Sequence, residues 1–101
     1  MGILDFLFGN QKKKVAEYLE KGAIILDVRT EREYKSGAVK GAKHIPLDKL
    51  RNHVDELRKL NKPIIVYCAS GVRSAKAAKF LNLSNIDAIN GGGLQRLRQL
   101  L

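Results

Sequence analysis

Cysteine is nearly absent from this chain of 101 residues, which carries one, at position 68. A lone cysteine has no partner for an internal disulfide, so nothing in the sequence requires an oxidising compartment. The sequence also lacks an apolar run long enough to span a membrane. Its apolar start, residues 1–9, is short, contains Asp5 and lacks the basic segment of a secretory signal. These absences predict a cytoplasmic protein.

Acidic residues and metal ligands are scarce as well. The chain has 10 Asp and Glu against 19 Lys and Arg, for a net charge of +9. Such a charge attracts small anions, and it is equally typical of a solvated basic surface, as in the run 12–14. Nucleic-acid binding is not expected, because no recognition motif or interleaved aromatic residues accompany the charge. The cysteine and two histidines form no spaced cluster, so we predict no metal and no cofactor.

The apolar pattern indicates an α/β domain in which strands alternate with helices. Short apolar runs predict strands at 24–27, 42–45, 63–67 and 86–89. Helical spacing predicts helices at 11–21, 31–35, 72–82 and after residue 93, with one or two more through 47–59. This order favours a parallel sheet with right-handed crossovers. Residues 11–101 form the predicted domain, and the apolar segment 1–10 either packs on its core or forms a docking surface.

The loop that begins at Cys68 is the most informative segment. An apolar strand runs into Cys68 and then through Gly71 to a predicted helix. In such a turn, backbone N–H groups and the positive end of the helix dipole point toward the sulfur. Arg73 adds a positive charge nearby. These features favour the thiolate, so Cys68 is predicted to be a nucleophile with a lowered pKa rather than an inert core thiol.

The length of this loop narrows the chemistry. Four residues separate Cys68 from Arg73. Protein tyrosine phosphatases close a similar loop with an arginine one residue further on and wrap it around a phosphate. The smaller loop here favours a sulfur atom carried on the cysteine. The segment Cys68–Ser74 resembles the active-site loop of single-domain rhodaneses, the thiosulfate sulfurtransferases.

Two further segments resemble the same family and lie in the family's order. Residues 25–46 are similar to the N-terminal signature of a rhodanese domain, and Ile89–Gly92 is similar to its double-glycine turn. Ala38 and Leu94 depart from the pattern, since many members have a histidine and an aromatic residue there. The departures concern packing and leave the Cys68 loop intact.

The resemblance implies a fold, an activity and a site. The fold is a rhodanese-like three-layer α/β/α arrangement with a central, mainly parallel sheet. The activity moves a sulfane sulfur from thiosulfate or a similar small anion to cyanide, a thiol or a protein thiol, through a Cys68 persulfide. The residues expected to bind the persulfide are those of the loop: Ala69, Ser70, Gly71, Val72 and Arg73.

Three other residues are predicted to support the site. Asp27 ends the strand expected beside the Cys68 strand, and we predict that it holds Arg73 or the loop backbone. Arg29 either binds the sulfite end of thiosulfate or pairs on the surface with Glu31 or Glu33. Ser70 and Ser74 are predicted to donate hydrogen bonds to the persulfide. For Ser74 the alternative is that its side chain satisfies N–H groups at the helix start.

Two other classes of function stay open at this point. One is a sulfur-relay or protein-interaction module without significant thiosulfate turnover. The other is a phosphatase or arsenate reductase built on the same Cys-led loop, which the short distance to Arg73 opposes.

Overall fold

The computed structural model describes residues 3–101, with side chains from residue 9 onward. Its elements, in chain order, are α1 (Ile3–Glu20), β1 (Ile24–Asp27), α2 (Glu31–Lys35), β2 (Lys43–His44), a 3-10 helix (Leu47–His53), α3 (Val54–Lys59), β3 (Ile64–Cys68), α4 (Val72–Leu83), β4 (Ala88–Gly93) and α5 (Leu94–Leu100). Within residues 3–101, no helix has the length and apolar character needed to cross a membrane.

The strands of the described residues form one parallel sheet in the order β2-β1-β3-β4. Leu57 of α3 and Leu81 of α4 belong to the core cluster on one face of this sheet. Val15 of α1 and Leu97 of α5 belong to the cluster on the other face. Every residue of β3 is buried, as expected for a central strand covered on both sides. The predicted three-layer fold with a parallel central sheet is confirmed.

Two elements, α1 and β4, differ from their predicted bounds by more than a residue or two. Helix α1 begins at Ile3 rather than at residue 11, so it continues through most of the apolar segment. The side chains of residues 3–8, and residues 1 and 2 altogether, lie outside the described part, so the docking or core-packing role of this segment stays a prediction. Residues 47–59 form a 3-10 helix followed by α3, which agrees with the prediction of one or two helices.

The second difference is β4, which is predicted at 86–89 and lies at Ala88–Gly93. Asparagine and glycine are rare in strands, so the apolar pattern ends at Ile89. The backbone pairing nevertheless continues to the partners Cys68 and Gly93, with a register shift between Val66 and Tyr67. This extension brings residues 90–93 beside the Cys68 loop.

Candidate active site

The sulfur of Cys68 lies in a cradle of backbone N–H groups. Cys68 is the last residue of β3 and is fully buried, with a relative exposure of 0%. The N–H of Gly71 donates to Sγ at 3.0 Å, and the N–H of Ser74 does so at 3.4 Å. Gly71 has a φ of 100°, a conformation that glycine adopts without strain and that turns its N–H toward the sulfur. The start of α4 directly after Gly71 adds the positive end of a helix dipole.

These contacts favour the ionised sulfur. Burial alone would raise the pKa of Cys68, but hydrogen bonds from the Ser74 side chain and from the N–H groups of Ser74, Gly71 and Ser70 outweigh it. The net effect lowers the pKa of the thiol below its ordinary value. Ser70 therefore acts through its backbone, while the residues Ala69, Ser70 and Val72 lie exposed at the rim. The loop predicted from the sequence is brought together as expected.

Arg73 is held by Glu33, whereas the hydrogen bonds of Asp27 go to Arg29 and Tyr67 rather than to Arg73 or the loop backbone, the two roles predicted for it. Arg73 Nη1 and Nη2 donate to the two carboxylate oxygens of Glu33 at 2.7 and 2.8 Å. Hydrogen bonds from Arg73 and from the Thr30 backbone lower the pKa of Glu33 to about 2. Glu33 also closes a capping box with Thr30 at the start of α2, which fixes the carboxylate in place. The pattern Thr30-x-x-Glu33 was the signal in the sequence, although it indicates a helix start rather than a partner for Arg73.

Asp27 instead forms a buried ion pair with Arg29. Arg29 Nη2 donates to Asp27 Oδ2 at 2.7 Å, and its Nε lies 3.1 Å from both carboxylate oxygens. The Tyr67 hydroxyl donates to the same carboxylate at 2.6 Å and accepts from the N–H of Val39 at 3.0 Å. Arg29 Nη2 also donates to the carbonyl of Gly37 at 2.6 Å. The predicted surface pair of Arg29 with Glu31 or Glu33 is therefore wrong, and its predicted contact with sulfite stays a prediction.

Asn90 is a site residue that the sequence analysis did not single out. Its Nδ2 donates to the carbonyl of Gly71 at 3.0 Å, and its Oδ1 accepts from the Ser74 hydroxyl at 2.6 Å. Ser74 Oγ in turn lies 3.3 Å from the sulfur of Cys68. Ser74 therefore lies within hydrogen-bond distance of the sulfur, while its predicted donation to a persulfide stays a prediction, and Asn90 joins Ser74 to the loop backbone. The residue precedes the double glycine, but a lone asparagine before a turn gives no sign of this contact.

The glycines that end β4 allow this close approach. A Cβ on Gly93 would lie 2.3 Å from the carbonyl oxygen of Ala69, inside the Cys68 loop. A Cβ on Gly91 would lie 2.8 Å from a side-chain carbon of Ile65 and 3.1 Å from the carbonyl oxygen of Val66. The end of β4 thus forms one wall of the cradle because it has no side chains there.

Both histidines of the chain contact groups other than Cys68. His44 Nε2 lies 2.8 Å from the carbonyl of Arg29, and its ring stacks on Tyr34 with centroids 4.3 Å apart. His53 Nδ1 lies 3.0 Å from Glu56 on an exposed surface. Among the described residues, no three His, Cys, Asp or Glu side chains group as a metal site requires. The thiolate is thus favoured by hydrogen bonds and dipoles rather than by a neighbouring imidazole.

We expect the rate of Cys68 alkylation by iodoacetamide to rise with pH and to reach half its maximum below the ordinary cysteine value of about 8.5. The thiolate is the reacting species, and the cradle lowers the pKa of the thiol. The same protein unfolded in urea provides the control, because the cradle is lost there. A folded midpoint equal to or above the unfolded midpoint would contradict the prediction.

Comparisons with known proteins agree with this architecture. Residues 11–95 match the family described as Rhodanese-like domain. The thiosulfate sulfurtransferase GlpE of Pseudomonas entomophila is 35% identical over 79 residues, covering 71% of this chain and 68% of that protein. A structure of a rhodanese-like domain protein from Staphylococcus aureus superimposes with a TM-score of 0.72 at 35% identity, covering 85% of this chain and 86% of that one.

Other relatives are longer than this chain. The uncharacterised protein YqhL of Bacillus subtilis is 41% identical over 67 residues, which are 66% of this chain and 52% of that protein. The tRNA uridine(34) hydroxylase of Buchnera aphidicola is 34% identical over 95 residues, which cover 85% of this chain and 30% of the hydroxylase. The chain thus spans about half of one relative and less than a third of the other. With its parallel sheet and Cys-led loop, and a family match over residues 11–95, the chain belongs to the rhodanese-like domain family.

Proposed function

We propose that this protein is a sulfurtransferase that carries a sulfane sulfur as a persulfide on Cys68 and that takes it from thiosulfate or a similar small anion. The observation that carries the proposal is the ring of N–H groups around Sγ, from Ser70, Gly71 and Ser74. The charge of a persulfide lies on its outer sulfur, one S–S bond from Sγ, and the positive field of the same N–H groups and of the α4 dipole favours an anion there. The similarity to the thiosulfate sulfurtransferase GlpE supports the same chemistry.

The reaction has two displacement steps. The Cys68 thiolate attacks the outer sulfur of thiosulfate, an S–S bond forms, and the S–S bond of the donor breaks with its electron pair leaving on sulfite. A nucleophilic acceptor then attacks the terminal sulfur of the persulfide, and the electron pair of the broken bond returns to Cys68 as thiolate. The acceptor is cyanide, a small thiol or a protein thiol. The cradle lowers the pKa of Cys68, so ionisation of the attacking sulfur by loss of its proton to water is made easier without a dedicated base. A thiol acceptor attacks as its own thiolate, after losing its proton to water.

Arg73 argues against a phosphatase. A phosphatase with a Cys-led loop closes that loop around the phosphate, so the N–H groups of its loop arginine are expected to face the phosphate oxygens. Here two guanidinium nitrogens of Arg73 are bonded to Glu33, in a pair about one-third exposed. Arg73 therefore holds the loop and places its charge near the sulfur of Cys68. Its hydrogen bond to Glu33 is the main cause of the raised pKa of Arg73, burial opposes that shift, and the nearby sulfur of Cys68 adds a smaller raising effect.

A cavity beside Arg73 is the proposed entrance for the donor. It has a volume of about 320 Å³ and is lined by residues of the β1–α2 loop, the 3-10 helix and α4, namely Val28, Thr30, Pro46, Leu47, Asp48 and Arg73. This volume exceeds that of a thiosulfate ion. The buried sulfur favours such small reactants over bulky ones, because Cys68 itself has no exposed surface.

The test is the mass of the intact protein after incubation with thiosulfate. Freshly reduced wild type is expected to gain one sulfur atom, and cyanide should remove it. Cys68→Ala should gain nothing. A second control, Cys68→Ala combined with Ser36→Cys, places a thiol on an exposed residue outside the cradle. If that variant gains sulfur as readily as wild type, the cradle has no role in loading.

A relay of sulfur to a partner protein is the second candidate function. The observation that favours it is that the related tRNA uridine(34) hydroxylase contains a matching region as only 30% of its length. A relay domain would gain no sulfur from thiosulfate but would gain one from a low-molecular-weight persulfide. Loading by thiosulfate, followed by rapid turnover with cyanide, would exclude the relay as the sole role.

A reactive free thiol suits a reducing compartment, and we propose the cytoplasm as the location of this protein.

A further inference from the structure

The side-chain amide of Asn90 has one orientation, because backbone groups contact both of its ends. Its Oδ1 lies 2.9 Å from the nitrogen of Gly92, which can only donate. Its Nδ2 lies 3.0 Å from the carbonyl oxygen of Gly71, which can only accept. A flipped amide would place donor against donor and acceptor against acceptor. The atom that faces Ser74 is therefore the oxygen.

This orientation determines where the proton of the Ser74 hydroxyl lies. Ser74 Oγ is 2.6 Å from Asn90 Oδ1, and a carboxamide oxygen cannot donate, so the single hydroxyl proton lies between the two oxygens. The same Oγ is 3.3 Å from the sulfur of Cys68. With its proton directed to Asn90, Oγ can only accept from Cys68. In the neutral state, the hydrogen bonds thus run from the thiol to Ser74 and from Ser74 to Asn90.

The thiolate requires the opposite direction at Ser74. When the S–H bond of Cys68 breaks, the proton passes to water and the electron pair stays on sulfur. Ser74 can then stabilise the sulfur only by rotating its intact O–H bond from Asn90 to Sγ. Asn90 and the thiolate therefore compete for one proton of Ser74.

We propose that Asn90 is a positioning residue that directs the Ser74 hydroxyl away from Cys68 and so favours the protonated thiol, releasing the hydroxyl when the sulfur ionises. The proposal rests on the proposed function only in that the thiolate is the form that accepts sulfur. While Cys68 is protonated, the Ser74 hydroxyl donates to Asn90, which limits the amount of thiolate. Once Cys68 is ionised, the same hydroxyl is available to donate to its sulfur.

The charged groups around the cradle keep their charge states over the pH range in which Cys68 titrates. From α4, Arg73 stays charged, and Glu33 of α2, with a pKa of about 2, stays ionised beside it. From β1, the Asp27–Arg29 pair is ionised at both partners. Arg96 of α5, whose side chain lies near Gly92, is always charged. A shift in the Cys68 titration between variants of Ser74 and Asn90 therefore reports on the hydroxyl.

Asn90→Ala tests the proposal through the pH profile of Cys68 alkylation. The released hydroxyl can donate to the thiolate or to the carbonyl of Gly92, which is 3.4 Å away, and the charged acceptor is the stronger. The midpoint is expected to fall by about 0.5–1 unit. A merely structural role would give the opposite sign, because a loosened loop weakens the bond from Gly71 to the sulfur and raises the midpoint.

Ser74→Ala provides the matched background. Without the hydroxyl, adding Asn90→Ala should leave the midpoint where Ser74→Ala alone places it. A midpoint that rises or stays constant in Asn90→Ala overturns the proposal. So does a fall of equal size with and without Ser74, since it would show that Asn90 acts by another route.

A measurement on the wild type does not depend on the folding of a variant. The ¹³Cγ resonance of Asn90 is expected to shift with the same pH midpoint as the ¹³Cβ resonance of Cys68, because Ser74 leaves the amide as the sulfur ionises. An Asn90 resonance that stays constant through that midpoint overturns the proposal. Both experiments use reduced protein without a sulfur donor, so a failure of thiosulfate loading would overturn the proposed function and leave this result standing.

Discussion

Replacing Asp27 with alanine is expected to lower the free energy of unfolding by about 3–5 kcal/mol at pH 7. The change leaves the buried guanidinium of Arg29 without its carboxylate and the hydroxyl of Tyr67 without its acceptor. Small domains are stable by only about 5–15 kcal/mol, so the variant should be partly or wholly unfolded at moderate temperature. Urea unfolding followed by circular dichroism measures the difference.

An exposed ion pair provides the matched control for Asp27→Ala. Glu31 and Lys35 pair at 3.1 Å on the surface of α2, with side chains 71% and 72% exposed. Glu31→Ala should therefore leave the free energy of unfolding close to that of wild type, because solvent screens an exposed pair. Similar losses in the two variants would show that the Asp27 network contributes no more than a surface pair.

The effect of Asp27 should depend on pH with a definite sign. Burial opposes ionisation of its carboxyl, but hydrogen bonds from Arg29 and Tyr67 outweigh it and lower the pKa in the folded state. The stabilisation is therefore fully present above the ordinary carboxyl value of about 3.9 and is lost as pH falls through the lower folded value. The difference between wild type and Asp27→Ala should be constant from pH 7 to about pH 5 and should shrink in stronger acid.

Replacing Gly93 with alanine is expected to disrupt the Cys68 loop. The new Cβ would lie 2.3 Å from the carbonyl oxygen and 3.0 Å from the carbonyl carbon of Ala69, both of them backbone atoms that cannot rotate away. Either β4 or the loop must shift, and overpacking of this kind costs about 1–3 kcal/mol. Movement of the loop would also lengthen the hydrogen bond from Gly71 to the sulfur, so the alkylation midpoint of Cys68 should rise.

Gly9→Ala is the matched control for Gly93→Ala. Gly9 lies within α1, and a Cβ there meets no heavy atom within 4 Å. Alanine is the better helix former by about 1 kcal/mol, so this variant should be unchanged or slightly more stable, with an unaltered Cys68 midpoint. Thermal unfolding together with iodoacetamide kinetics distinguishes the two variants. A Gly93→Ala protein with wild-type stability and midpoint would show that the contact relaxes without cost.

The sequence was sufficient for most of the fold because local signals and topology agreed. The run 24–27 was predicted as a strand and is one, and the Cys68 strand and the following helix lie within a residue of their predicted positions. Strands separated by helices have few arrangements open to them, so the parallel sheet followed from element order. β4 was misplaced because its pairing depends on backbone hydrogen bonds to β3, which asparagine and glycine side chains do not reveal.

The residues of the site show the same distinction between local sequence signals and contacts made across the fold. The position of Cys68, the glycine in its loop and the spacing to Arg73 are local properties, so the sequence by itself predicted the Cys-led loop and its N–H groups. Only the tertiary structure decided which groups meet across elements: Glu33 with Arg73, Asp27 with Arg29, and Asn90 with Ser74. Those contacts depend on the register of neighbouring strands and on differences of a few ångströms in side-chain reach. Asp27, Glu31 and Glu33 all lie close to Arg29 in sequence and far from Arg73, so only packing selects the carboxylate that each arginine meets.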